Sequence, residues 1–171
     1  MNLNLRRRRV IATTLVVLTS ALTSGPVLSQ TLATHRISAA LAMEATAEAV
    51  SICAMQGYWV SATVINPDGV RIAMLHGDRS GMHTIDASYA KAYAAVSFAP
   101  IFKLETSGAL TEMSQQPGFQ VPAGMMMRAG GVAIRLGDEV IGAIGVGGAP
   151  SANLDEACAR AGIEKIRSRI K

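Results

Sequence analysis

Lys91 is the residue whose surroundings most constrain its chemistry. Ala87, Ala94, Ala95 and Phe98 share its helical face, and an ammonium buried alone among apolar neighbours is costly. It therefore requires an anionic partner, either a ligand carboxylate or a protein carboxylate such as Asp155 or Glu156, or a route by which its stem reaches water. Three histidines, His35, His76 and His83, supply imidazole, a common metal ligand. His83 stands just before the helix that carries Lys91, His76 ends a strand and His35 lies in the N-terminal arm, so His83 and His76 are the first candidates for a metal ligand. Met125, Met126 and Met127 could offer thioethers to a soft metal such as Cu(I), or pack beneath the adjoining hairpin. Asp86, Asp155 and Glu156 are candidate oxygen ligands for a hard cation, although they form no oxygen-rich calcium loop.

The chain contains no Gly-x-Ser-x-Gly elbow, Walker loop, His-Glu-x-x-His or Cys-x-x-Cys, and no nucleophile is paired with a base by sequence. The residues alone point to a binding protein more than to an enzyme. Gly142, Gly145 and Gly147 mimic a dinucleotide loop but fall within a strand pattern, where that loop cannot form.

The elements that must position these residues follow from periodicity. An alanine-rich amphipathic helix spans 38–55, with Leu41, Ala45, Ala49, Ile52 and Cys53 on one face, and stops at Gly57. Alternation over 58–65 and 70–75 around Asn66-Pro67-Asp68-Gly69 gives a β-hairpin, since proline presets φ and Asp-Gly completes the reversal. A second helix covers 84–98 and ends before Pro100. A short helical piece follows within 100–113, then a long loop over 115–127, of a length often used for function. A second hairpin pairs 132–136 with 140–146 through Gly137-Asp138-Glu139. Its second strand is apolar on both faces and rich in glycine, so either a helix packs closely there or a flat ligand approaches the backbone. The last helix, 154–169, starts at Ser151 or Asn153 and buries Leu154, Cys158, Gly162 and Ile166. Two hairpins flanked by helices predict an α/β (α+β) domain with one antiparallel sheet and helices packed on it.

Arg6 to Arg9 followed by the uncharged run 10–22, with Val27 and Ser29 as small residues before a cut, predicts a cleavable signal peptide over 1–29 and a mature domain over 30–171. The arginines suit the general export route and also contain a twin-arginine pair. The apolar run is short for a bilayer helix and closes at Gly25-Pro26, so no stable membrane span remains after cleavage. Export implies a periplasmic or secreted protein. The whole chain carries 16 basic and 12 acidic residues. Removing 1–29 leaves twelve of each, so the mature surface has no net attraction for nucleic acid. Cys53 and Cys158 fall on core stripes of their helices. Side by side they would close a loop of about 100 residues, worth about 3 to 5 kcal/mol; otherwise they are two buried thiols.

Ala90-Lys91-Ala92-Tyr93, the run from Gly130 to Ile134, the run from Gly137 to Val146, and Asp155-Glu156 ahead of Ala161-Gly162 together resemble the GlcG/HbpS family over residues 36 to 166. The resemblance implies a profilin-like sandwich, homo-oligomerisation and haem binding, with haem degradation attached to the family name. It makes Lys91, Tyr93, Ala94, Gly145 and Gly147, with the three histidines, the candidate site for haem or another small, planar anion, held between the second helix and the glycine-rich strand. Family members often carry threonine at the place of Ala94 and serine at that of Gly147, so two hydroxyls are missing here. Two other readings use the same fold. One is a binding or sensory module for a small organic acid held by Lys91, and the other is a non-catalytic oligomeric scaffold.

Overall fold

The computed structural model describes residues 32–171; the expected signal peptide lies outside the described residues. The chain runs through α1 (Ala39–Met55), β1 (Ser61–Ile65), β2 (Arg71–His76), α2 (His83–Phe102), a 3₁₀ turn (Ser107–Leu110), α3 (Thr111–Ser114), β3 (Gly131–Leu136), β4 (Glu139–Gly147), α4 (Ala152–Ile166) and a final 3₁₀ turn (Arg167–Arg169). The strands form one antiparallel sheet in the order β2-β1-β4-β3. This is the α+β arrangement that the two hairpins predict. The first turn forms as its residues dictate: Asn66 accepts from the Asp68 and Val70 amides, and Gly69 takes a φ of 79°.

Register divides the sheet into two unlike faces. Ala62 pairs with Val146 and Val64 with Ile144, and these side chains pack against Ala45, Ala49, Ala159 and Ile163 of α1 and α4. Cys53 and Cys158 sit within this layer as a disulfide with Cα atoms 5.7 Å apart, joining α1 to α4. Of the two outcomes open for these cysteines, the structure takes the bridge.

The other face carries Ser61 opposite Gly147 and Thr63 opposite Gly145, and it receives α2. Small side chains on both partners let the helix backbone settle close to the sheet. A Cβ on Gly145 would overlap the Ser88 carbonyl oxygen and stand 2.7 Å from the Ala92 nitrogen. The buried hydroxyls do not go unpaired: Thr63 Oγ1 lies 2.7 Å from Ser88 Oγ, and Ser61 Oγ lies 2.7 Å from Thr84 Oγ1.

The second helix does not stop before Pro100 but continues to Phe102. Pro100 has no N–H, so the last turn lacks the bond to the Val96 carbonyl that another residue would make. The exit is stabilised from elsewhere in the chain, because Lys103 adopts a left-handed conformation and Arg135 of β3 donates to the Ala99 and Leu104 carbonyls at 3.2 and 3.1 Å.

Candidate functional site

The structure separates the candidate residues into distinct places. Lys91 is 4% exposed, and its ammonium donates to Asp155 Oδ2 at 2.5 Å. Because α2 and α4 cover opposite faces, the pair must reach around the end of the sheet, past Gly130 and Gly131. A Cβ on Gly130 would stand 2.8 Å from Lys91 Cδ and Nζ, and one on Gly131 would overlap the Lys91 carbonyl. Gly130 thus leaves room for the Lys91 side chain, and Gly131 for the close approach of the α2 backbone. Asp155 also accepts from the Ala149 amide at 2.9 Å and from Gly148. Burial raises its carboxyl above the ordinary aspartate value, while the Lys91 bond and the two amides act in the opposite direction.

This corrects the expected slot between the second helix and the glycine-rich strand. Gly145 and Gly147 face the α2 backbone at van der Waals distance or closer, so the glycines serve helix packing and leave no space for a flat ligand. Of the two partners open to Lys91, it is the protein carboxylate that holds the ammonium. Tyr93 stacks on Tyr89 with ring centroids 5.8 Å apart and packs beside Gly69 and Gly124. Ala94 is buried in a separate small cluster with Leu110 and Met127. Met125 packs partly buried against the same cluster and the Met126 amide donates to the Ala90 carbonyl, so this loop packs beneath α2 rather than beneath the hairpin. Asp86, Asp155 and Glu156 do not converge: they pair with Arg71, Lys91 and Arg160 respectively. Among the described residues no group of three or more His, Cys, Asp or Glu is placed to hold a metal.

The histidines differ in what holds them. His35 Nδ1 lies 2.7 Å from Glu139 Oε2, and the His35 amide donates to Glu139 Oε1 at 2.8 Å, so this ring belongs to the far end of the sheet. His76 Nδ1 lies 2.8 Å from Ser61 Oγ and 2.9 Å from Ser80 Oγ, which ties it to the hydroxyl seam beneath α2. His83 begins α2 and lies over Gly81. Among the described residues neither of its ring nitrogens has a hydrogen-bond partner.

His83 lines a cleft of about 270 Å³ with Trp59, Arg79, Thr84, Gly148 and Pro150. The Arg79 guanidinium stands 4.8 Å from the Trp59 ring centroid. Arg79 has a φ of 65°, a conformation that a non-glycine residue keeps only where its surroundings enforce it. The Lys91–Asp155 pair lies behind this corner, since Asp155 holds the amides of Gly148 and Ala149 next to it. The corner therefore combines an imidazole without a hydrogen-bond partner among the described residues, an aromatic ring and a guanidinium. Trp59 and Arg79 carry no local sequence signal for this role beyond Trp59 being the chain's one tryptophan; the fold alone brings them to His83.

Comparisons with known proteins place the chain in context. A family model described as "Haem degrading protein HbpS-like" matches residues 37–164. The crystal structure of HbpS is 28% identical with a TM-score of 0.68, and the match covers 84% of this chain and 97% of that one. Protein ORFY from Klebsiella pneumoniae shares the fold at 20% identity and a TM-score of 0.72, over 82% of this chain and 97% of its own. PduOC, solved in complex with haem, shares it at 20% identity and 0.66, over 77% and 95% of the two chains. A search of curated proteins gave no match.

Proposed function

The chain belongs to the HbpS-like family, and from that premise we propose that it is an exported haem-binding protein that sequesters or senses haem, with His83 as the iron ligand. The observation that supports this corner is the placement of His83 in one cleft with Trp59 and Arg79: its ring has a lone pair open to iron, whereas His35 lies at the far end of the sheet bonded to Glu139 and His76 is bonded to Ser61 and Ser80. Trp59 would lie along the porphyrin, and Arg79 would meet a propionate as a charge-assisted pair. A solved protein of the same fold, PduOC, carries haem.

The cleft is small beside the roughly 300 to 1,000 Å³ of pockets that enclose a ligand, so one porphyrin face would stay outside it. Met74, Leu75 and Met82 are exposed apolar side chains on the strand and loop leading to His83, which suits coverage of that face by a second copy of the chain. Export is supported by the buried Cys53–Cys158 disulfide, a bond that persists in oxidising compartments and is rare in the cytosol. Among the described residues no helix is long and apolar enough to cross a membrane.

The test is a visible spectrum with metal analysis on protein purified from its native envelope. The proposal expects a Soret band with iron in proportion to protein. Protein without tetrapyrrole that also fails to take up haemin saturably at micromolar concentration would overturn it.

A further inference from the structure

His76 closes β2 with its Nδ1 2.8 Å from Ser61 Oγ, the residue opposite it on β1. The protons of the surrounding hydroxyls fix which way that bond runs. Thr84 Oγ1 donates to the Gly81 carbonyl at 2.6 Å and Ser80 Oγ to the Gly77 carbonyl at 2.8 Å, so neither has a proton left for its other neighbours. Ser61 Oγ also lies 2.7 Å from Thr84 Oγ1, and with the Thr84 proton committed, Ser61 is the donor in that contact. Its single proton is then spent, so His76 donates to it from Nδ1. In the neutral ring the lone pair is therefore on Nε2. Ser80 Oγ stands 2.9 Å from Nδ1 and 3.3 Å from Nε2; an atom so nearly equidistant lies off the Nε2 axis, and it has no proton to give, so that lone pair stays open.

An imidazole held at one nitrogen by an oxygen and open at the other is the arrangement of a metal-ligating histidine, whose outer bond sets tautomer and ring orientation. Met74 precedes His76 by two positions in the part of β2 that keeps regular register with β1, Thr63 opposite Met74 and Ser61 opposite His76, so the two side chains share one face of the strand. Both are exposed, Met74 to 43% although it is apolar. The cysteines are joined in the disulfide, so thioethers are the soft ligands that remain. Among the described residues no group of three or more His, Cys, Asp or Glu is placed to hold a metal, and the tetrahedral set of a zinc site is thus missing. An imidazole nitrogen beside a thioether suits instead a soft monovalent ion of low coordination number.

We propose that His76 Nε2 and Met74 Sδ bind Cu(I), with Ser61 as the positioning residue that holds the ring. Neither ligand lines the His83 cleft, and binding needs no haem.

The test uses the haem-free mature chain and two probes: silver(I) nitrate, a redox-inert stand-in whose place is read by NMR, and Cu(I), whose affinity is measured anaerobically by competition with bicinchoninate. Stoichiometric silver is expected to shift the Met74 methyl and the His76 ring signals. It should leave Met43 and Met55 in place, since these are exposed thioethers on a helix without histidine. Ser61→Ala should weaken Cu(I) binding by about 10- to 100-fold, the usual effect of losing an outer-shell partner, and Met74→Leu by at least as much. Should Ser61→Ala fail to fold for want of its buried bonds, Met74→Leu, a change at an exposed position, still decides. Silver that shifts Met43 and Met55 as readily as Met74, a ring shift at His83 in place of His76, unchanged Cu(I) affinity in Met74→Leu, or no binding by wild type would each overturn the proposal. His83→Ala must leave Cu(I) binding intact, and Met74→Leu must leave haemin uptake intact, so failure at either site is read separately.

Discussion

Lys91 and Asp155 meet at 2.5 Å although their helices cover opposite faces of the sheet. The contact joins the layers around the sheet's end, past Gly130, where a Cβ would meet the Lys91 side chain. It also fixes the Gly148–Ala149 backbone beside the His83 cleft. The residue with the clearest demand for an anion in the sequence is thus part of the framework behind the site, not its rim.

Lys91→Met should cost about 3 to 5 kcal/mol in a urea or thermal unfolding experiment, because it leaves a buried carboxylate without its counter-charge. The double variant Lys91→Met with Asp155→Leu should cost clearly less than the sum of the two single changes, since removing both charges leaves neither stranded. Additive losses would show that the two side chains act independently.

Gly145→Ala should destabilise by about 1 to 3 kcal/mol or more, because the new methyl meets α2 backbone rather than a movable side chain. Circular dichroism melts of this variant measure how closely helix and sheet are seated. A substitution without effect would mean that α2 stands further off and the expected slot exists after all.

Replacing both Cys53 and Cys158 by alanine should lower stability by about 2 to 5 kcal/mol, from loss of a crosslink 105 residues apart in sequence. Wild type treated with reductant should approach the same urea midpoint. Equal stability of oxidised protein and double variant would contradict the bridge.

The Glu139 carboxyl is held below the ordinary glutamate value by its side-chain bond from His35 and the His35 amide. A depressed folded-state value stabilises docking of the N-terminal arm above the ordinary glutamate range, and this contribution is lost as pH falls through the depressed value. The His35 amide resonance should therefore shift with an acid midpoint below that of an ordinary glutamate, and Glu139→Gln should abolish the transition. A midpoint at or above the ordinary value would contradict the bond.

Much of the fold was legible in the sequence because its signals are local. Asn66-Pro67-Asp68-Gly69 carries its own turn chemistry, and strand alternation fixes which side chains share a face. The end of α2 was not, because the groups that hold it past Pro100 come from Arg135, more than thirty residues on. Among the site residues, Lys91 and Asp155 were readable as one possible couple, but whether the glycines of β4 faced helix or ligand is decided by tertiary packing. Likewise, the three histidines look alike in sequence. They differ once Glu139 and the Ser61–Ser80 hydroxyls engage two of them, and Trp59 and Arg79 reach His83 only through the fold.

The most direct test of the central claim is a haemin titration of the mature wild-type chain beside His83→Ala and His76→Ala, read in the Soret region. The account predicts saturable binding by wild type with the spectrum of a histidine-ligated iron, retained by His76→Ala and replaced in His83→Ala by weaker binding without that signature. An unchanged Soret spectrum and affinity in His83→Ala would contradict it.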